Sequence, residues 1–129
     1  MRNLFYLIIS VIFWACGTTE TAKKQKTQVL CTTNIIADAF TQILPVSEFE
    51  VKSMMGPGTD PHLYKPTPND LQNLKDADII ISNGLHLEGK MTAVLEKLGE
   101  QKMHIALADV LKKTEFIELG NNVYDPHFW

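Results

Sequence analysis

Asp78 leads into Ile79-Ile80-Ile81, a continuous apolar run of the kind that is buried on both faces of a parallel sheet. The flanking sequence alternates strand and helix signals. Val29 to Thr32 is a short strand-like run, and Ile36, Phe40, Ile43 and Leu44 then recur at helical spacing with Asn34 placed as the N-cap. Phe49 and Val51 alternate with Glu50 and Lys52 in a second strand, which Gly56-Pro57-Gly58 ends by opening a loop. Thr67-Pro68-Asn69-Asp70 reads as an N-cap with Pro at N1 and an acid at N3, starting a helix expected to bury Leu71 and Leu74. Met91, Val94, Leu95 and Leu98 form the next helical stripe, Gly99 occupies the C′ position, and His104 to Leu107 is a fourth strand. Strand following helix throughout implies right-handed crossovers and an α/β fold, an open, mainly parallel four-stranded sheet flanked by helices. Ligands of such sheets bind beyond the carboxyl ends of the strands, and the loop after the second strand carries His62.

That loop holds one of two copies of Asp-Pro-His, at Asp60-Pro61-His62 and Asp125-Pro126-His127, so two of the four histidines share one local setting. A shuffled chain of this composition would hold roughly 0.01 copies, which makes chance a poor account of two. Proline fixes its own φ and pushes the preceding Asp into extended geometry, so little loop entropy is left to lose when a metal holds the imidazole. Neutral imidazole suits Zn(II), Mn(II) and Fe(II), and the nearby carboxylate can orient the ring.

The N-terminus indicates where such a site would operate. Arg2 precedes an apolar run of 12 residues, Leu4 to Ala15, well short of the ~20 that a spanning helix needs. Residues 1–15 therefore read as a secretory signal peptide. Ala15-Cys16-Gly17 puts a cysteine where bacterial lipoproteins are cut and acylated, although Phe13 and Trp14 are bulkier than usual there. Plain secretion and an uncleaved leader are the competing readings. Acylation of Cys16 on thiol and amine would bury chains worth ~0.8 kcal/mol per methylene, enough for stable membrane attachment. Residues 16–27, rich in Thr and Lys, would be a lipidated flexible tether, and residues 28–129 the folded lobe. With Cys16 lipidated, Cys31 has no disulfide partner and reads as a small buried hydrophobe. A net charge of −3 with scattered lysines offers no field for nucleic acid.

Three motifs in order carry a family resemblance. Gly56-Pro57-Gly58-Thr59-Asp60-Pro61-His62-Leu63-Tyr64 with Pro66-Thr67-Pro68-Asn69-Asp70-Leu71 comes first. Asp76-Ala77-Asp78 with Asn83-Gly84-Leu85-His86-Leu87-Glu88 follows, and Tyr124-Asp125-Pro126-His127-Phe128-Trp129 is third. From Ala15 to Trp129 the chain resembles the N-terminal lobe of the metal-receptor solute-binding lipoproteins of ABC importers, of ZnuA, TroA and PsaA type. The resemblance implies two α/β lobes joined by a long helix, with one divalent metal, Mn(II) or Zn(II), held between them as transported cargo. Two of its ligands would be His62 and His127; a His or Glu and an Asp would come from the second lobe. Trp129 falls near where the bridging helix should begin, so the expectation is a fragment or truncated product. The implied partners are a permease and its ATPase, with the protein a monomer anchored in the cell envelope, facing periplasm or exterior. Zinc-dedicated members often carry a His-rich loop before the second ligand; Ala108 to Tyr124 has no histidine, which leans toward Mn(II).

Other candidates have blander readings. His86 is expected to be a solvated strand-exit residue and His104 a non-functional strand residue. Asp60 and Asp125 are divided between ring orientation and ordinary turn chemistry. Glu88 reads as a helix-start acid rather than a general base, and Met54 and Met55 as packing. Two other functional classes compete with the transport receptor. One is a surface adhesin-type lipoprotein, for which no residue encodes a host-binding face. The other is a metallohydrolase, for which the chain offers no His-Glu-x-x-His or comparable cluster. The expectation is a protein without enzymatic activity.

Overall fold

The structure is a computed structural model and describes residues 25–128. The leader, Cys16 and most of the tether lie outside the described residues. β1 (Thr27–Cys31), β2 (Phe49–Ser53), β3 (Ile79–Ser82) and β4 (Met103–Ala106) form one sheet in the order β2-β1-β3-β4, with every pair parallel. The expected fold class is the observed one. β1 starts at Thr27, one residue inside the expected tether, because its backbone N–H already bonds to Glu48 O at 2.8 Å. β4 likewise starts one residue early and ends at Ala106, where Leu107 enters a 3₁₀ turn, Leu107–Val110.

Successive side chains of each strand face opposite layers, which explains the unbroken apolar runs. Val29, Cys31 and Ile81 pack against Ile36 and Ala37 of α1 (Asn34–Ile43). Leu30 and Ile80 face the other way, onto Leu74 of α2 (Pro68–Asp76) and Leu95 of α3 (Thr92–Gly99), joined by Met54, Met55 and Met91. Each of the Val, Leu, Ile and Met side chains contributes ~1.5–3 kcal/mol on leaving water. Cys31 is fully buried and its thiol is pushed up to about 12 by that burial, as expected of a packing residue. Among the described residues no helix is long and apolar enough to cross a membrane.

Three local expectations are corrected. The N-cap of α1 is Thr33, not Asn34: the Thr33 hydroxyl accepts from Ile36 N–H at 3.4 Å, and Asn34 already belongs to the helix. Leu71 is 40% exposed, because α2 turns Asp70 and Leu74 inward and leaves Leu71 on a shallow apolar groove with Val94 and Leu98. Gly99 is the last residue of α3, not its C′, and it gives room to His104, whose Nδ1 would lie 3.2 Å from an added Cβ.

The Thr67 cap forms as read, and it does more than start a helix. Asp70 Oδ2 accepts from the Thr67 N–H at 2.7 Å, the Thr67 hydroxyl at 2.7 Å and the Tyr64 phenol at 2.6 Å. Burial pushes the Asp70 carboxyl up, but these three donors outweigh it and hold the group below its ordinary range. Tyr64 is pushed up to about 12, by burial first and then by the carboxylate it donates to. The network ties the end of the His62 loop to α2. Thr67→Ala removes both the cap and one donor to Asp70, so urea unfolding should show a loss of about 1–2 kcal/mol. A loss within error of zero would mean that the cap is not supporting the loop.

The sequence reading passed over a small antiparallel hairpin, β5 (Glu118–Gly120) and β6 (Val123–Tyr124). Asn121 and Asn122 turn it at φ of +54° and +59°, the left-handed pair that a two-residue I′ turn requires and that Asn tolerates. The hairpin returns the chain to the sheet and delivers Asp125, whose N–H bonds to Ile117 O at 2.8 Å.

Candidate metal centre

The strand order β2-β1-β3-β4 changes direction between β1 and β3, the place in an open parallel sheet where ligands bind beyond the carboxyl ends of the strands. Both Asp-Pro-His loops converge there. In each, the first residue closes a tight Asx turn: Asp60 Oδ1 accepts from His62 N–H at 2.9 Å, and Asp125 Oδ1 accepts from His127 N–H at 2.9 Å. The repeat in sequence is a repeat in geometry. The second copy adds ring orientation, because Asp125 Oδ1 also lies 2.7 Å from His127 Nδ1. Asp125 is held below the ordinary carboxylate range, first by the His127 backbone N–H and then by the ring. Turn chemistry therefore accounts for Asp60, while Asp125 combines it with orienting the imidazole.

With the proton of neutral His127 on Nδ1, facing Asp125, its Nε2 presents a lone pair. His127 Nε2 stands 3.3 Å from His62 Nε2, with ring centroids 5.3 Å apart and planes at 63°. Two imidazole nitrogens each ~2.0–2.1 Å from one tetrahedral ion would be ~3.3 Å apart. The arrangement can chelate a divalent ion from one side. Among the described residues no third His, Cys, Asp or Glu completes such a group. A cleft of about 360 Å³ opens beside His127, walled by Thr33, Asn34, Met55, Pro57 and Leu87.

The loop leaving β3 supports both histidines, and the sequence reading missed this. Glu88 is 1% exposed, and its Oε1 accepts from the Thr32 hydroxyl at 2.7 Å and from Asn83 N–H at 2.6 Å. It is the N-cap residue of the 3₁₀ turn Gly89–Met91, but its side chain makes no cap bond there. The carboxylate instead joins the exits of β1 and β3. Asn83 Nδ2 then donates to Pro126 O at 2.9 Å, reaching into the second histidine loop. Gly89, at φ +49°, lies under the first: a Cβ there would stand 2.5 Å from His62 O. One signal for these residues was available, a polar pair placed directly after a fully apolar parallel strand.

The remaining histidines are elsewhere. His86 is exposed, at φ +59°, and lines a separate cavity with Glu96, His104 and Asp109. His104 Nε2 lies 2.8 Å from Ser82 Oγ, and burial lowers its pKa against the opposing pull of Glu88, Asp109 and Glu96. Met54 and Met55 are buried in the core, as expected.

Comparison with known proteins bears on the same stretch. The sequence profile of the family described as zinc-uptake complex component A, periplasmic (ZnuA), matches residues 29–129. The chain is 46% identical over 117 residues to the manganese-binding lipoprotein MntA of Bacillus subtilis, covering 88% of this chain and 38% of MntA. It is 33% identical over 139 residues to the manganese ABC transporter substrate-binding lipoprotein PsaA of Streptococcus mitis, covering 100% of this chain and 45% of PsaA. Among solved structures, the periplasmic zinc-binding protein TroA of Treponema pallidum aligns with a TM-score of 0.74 at 39% identity, over 80% of this chain and 37% of TroA. The chain spans less than half the length of each of these relatives.

Proposed function

Because this chain belongs to the ZnuA family of non-enzymatic metal-binding, ABC-transporter substrate-binding proteins, we propose that it forms the N-terminal, metal-gripping lobe of such a receptor. His62 and His127 supply half of the coordination shell for a divalent ion carried as cargo, Mn(II) or Zn(II). The remaining ligands belong to a second lobe like that of the longer relatives. A permease and its ATPase receive the ion, and lipid on Cys16 keeps the lobe at the membrane, facing the periplasm or exterior. The observation that carries this reading is the 3.3 Å separation of the two Nε2 atoms, each presented from the same rigid turn. Metal choice follows from the absent ligand: Glu would add hardness suited to Mn(II), His would suit Zn(II). The histidine-free segment before the second loop favours Mn(II).

Calorimetric titration of the full chain with Zn(II) and Mn(II) tests the proposal. Half a shell should bind a single ion weakly, since structural zinc sites use four protein ligands. His62→Ala and His127→Ala should each weaken Zn(II) binding by at least about tenfold. A tight site that survives both substitutions would refute the ligand assignment.

A further inference from the structure

We propose that Asn83 is a positioning residue for the metal pair, setting where His127 stands relative to His62; this rests on reading those two histidines as ligands. Asn83 follows β3, is 1% exposed, and donates from its side-chain amide to the neighbouring Gly84 O at 3.1 Å and to Pro126 O at 2.9 Å, 43 residues along the chain. That carbonyl belongs to the peptide plane that also carries the His127 N–H, and the N–H is bonded to Asp125 Oδ1 at 2.9 Å. The plane is therefore fixed at both edges. With that plane fixed, the His127 ring is placed by its φ and its two side-chain torsions, and Asp125 restrains it through Nδ1 at 2.7 Å.

The other end of the same loop fixes the partner. Asn83 N–H bonds to Glu88 Oε1 at 2.6 Å, Leu87 N–H to Gly84 O at 3.1 Å and Gly89 N–H to His86 O at 3.0 Å, so residues 83–89 form a closed unit. Leu85 and His86 are held at φ of +51° and +59°, a conformation non-glycine residues adopt at a cost and keep only when surroundings impose it. Gly89 then lies directly against the His62 carbonyl. A single short loop touches the backbone of both histidine loops, at Pro126 O with one end and at the His62 carbonyl with the other. It acts as a spacer, and the Asn83 amide is its side-chain bond to the second loop at Pro126 O.

The test uses the full chain with Zn(II) as probe, read by calorimetry and by the imidazole nitrogen resonances of His62 and His127, with urea unfolding as the check on folding. Asn83→Ala should unfold cooperatively, bind Zn(II) about tenfold more weakly, the scale of losing an outer partner of a metal ligand, and no longer saturate both rings at one concentration. Asn83→Asp keeps the volume, replaces the donor by an acceptor and should lose as much, which covers the case in which Ala does not fold. Glu88→Gln keeps an acceptor for Thr32 and Asn83 and should bind within about twofold of wild type; a tenfold loss there would show that charge, not position, is at work and would overturn the inference. Wild-type affinity in both Asn83 variants, with binding lost in His62→Ala, would overturn the inference alone. Wild-type affinity in His62→Ala would overturn the ligand reading beneath it.

Discussion

Gly89→Ala should destabilise the chain by about 2–5 kcal/mol and weaken Zn(II) binding in whatever fraction remains folded. Two costs combine. At φ +49° a Cβ is strained in itself, by about 1–2 kcal/mol. The new methyl would also stand 2.5 Å from His62 O and 3.3 Å from His62 C, both backbone atoms that cannot swing aside as a side chain does. Either the 83–89 loop or the His62 loop must move, and each movement spoils the 3.3 Å approach of the imidazoles. Gly58→Ala is the matched control: its φ is +78°, yet nothing lies within 4 Å of the added Cβ, so only the conformational cost of about 1–2 kcal/mol applies. Urea unfolding of both variants, with Zn(II) titration, separates the terms. Equal losses in stability and unchanged metal affinity in Gly89→Ala would refute the close-packed role of this glycine.

Ile80→Ala should cost about 2–5 kcal/mol, seen as a lower urea midpoint with an unchanged slope. Ile80 is fully buried in an interior strand, pairs in register with Leu30 and His104, and packs with Met54, Leu74 and Leu95. Strands on both sides and helices above prevent collapse into the vacated space, so the cavity term adds to the lost transfer term. Ile117→Ala, at a side chain 67% exposed on the segment before the hairpin, should stay within about 0.5 kcal/mol of wild type. Comparable effects at the two positions would mean that the sheet does not carry the stability.

The parts of the fold that were legible in the sequence are those fixed by local chemistry. The Ile79-Ile80-Ile81 run identifies an interior parallel strand, and the Thr67 capping box starts α2 where it was read. Errors lie where local chemistry is degenerate or tertiary packing decides. Thr33 and Asn34 are both good caps, and only the observed bond separates them. Leu71 and Leu74 share a helical spacing, but a helix of 9 residues buries one narrow line, and the sheet selected Asp70 and Leu74. The turn at Asn121-Asn122 is legible in the sequence, since Asn is the non-glycine residue that best tolerates the positive φ of a two-residue hairpin. At the site, the repeated tripeptide pointed to the pair that the structure brings together. Nothing in the sequence pairs Asn83 with Pro126, or Gly89 with His62, since those contacts exist only after the strands align.

The two histidines face each other across 65 residues of sequence, and β3, α3, β4 and the hairpin all lie between them. A growing chain presents both imidazoles only once residue 127 has been made, after every strand of the sheet. During synthesis at ~5–20 residues per second, several seconds separate the emergence of His62 from that of His127, and parallel strand pairing then adds its own slow, long-range search. An ion held by both His62 and His127 would therefore be taken up only after all four strands of the sheet have been made, and its binding would report that they have come together.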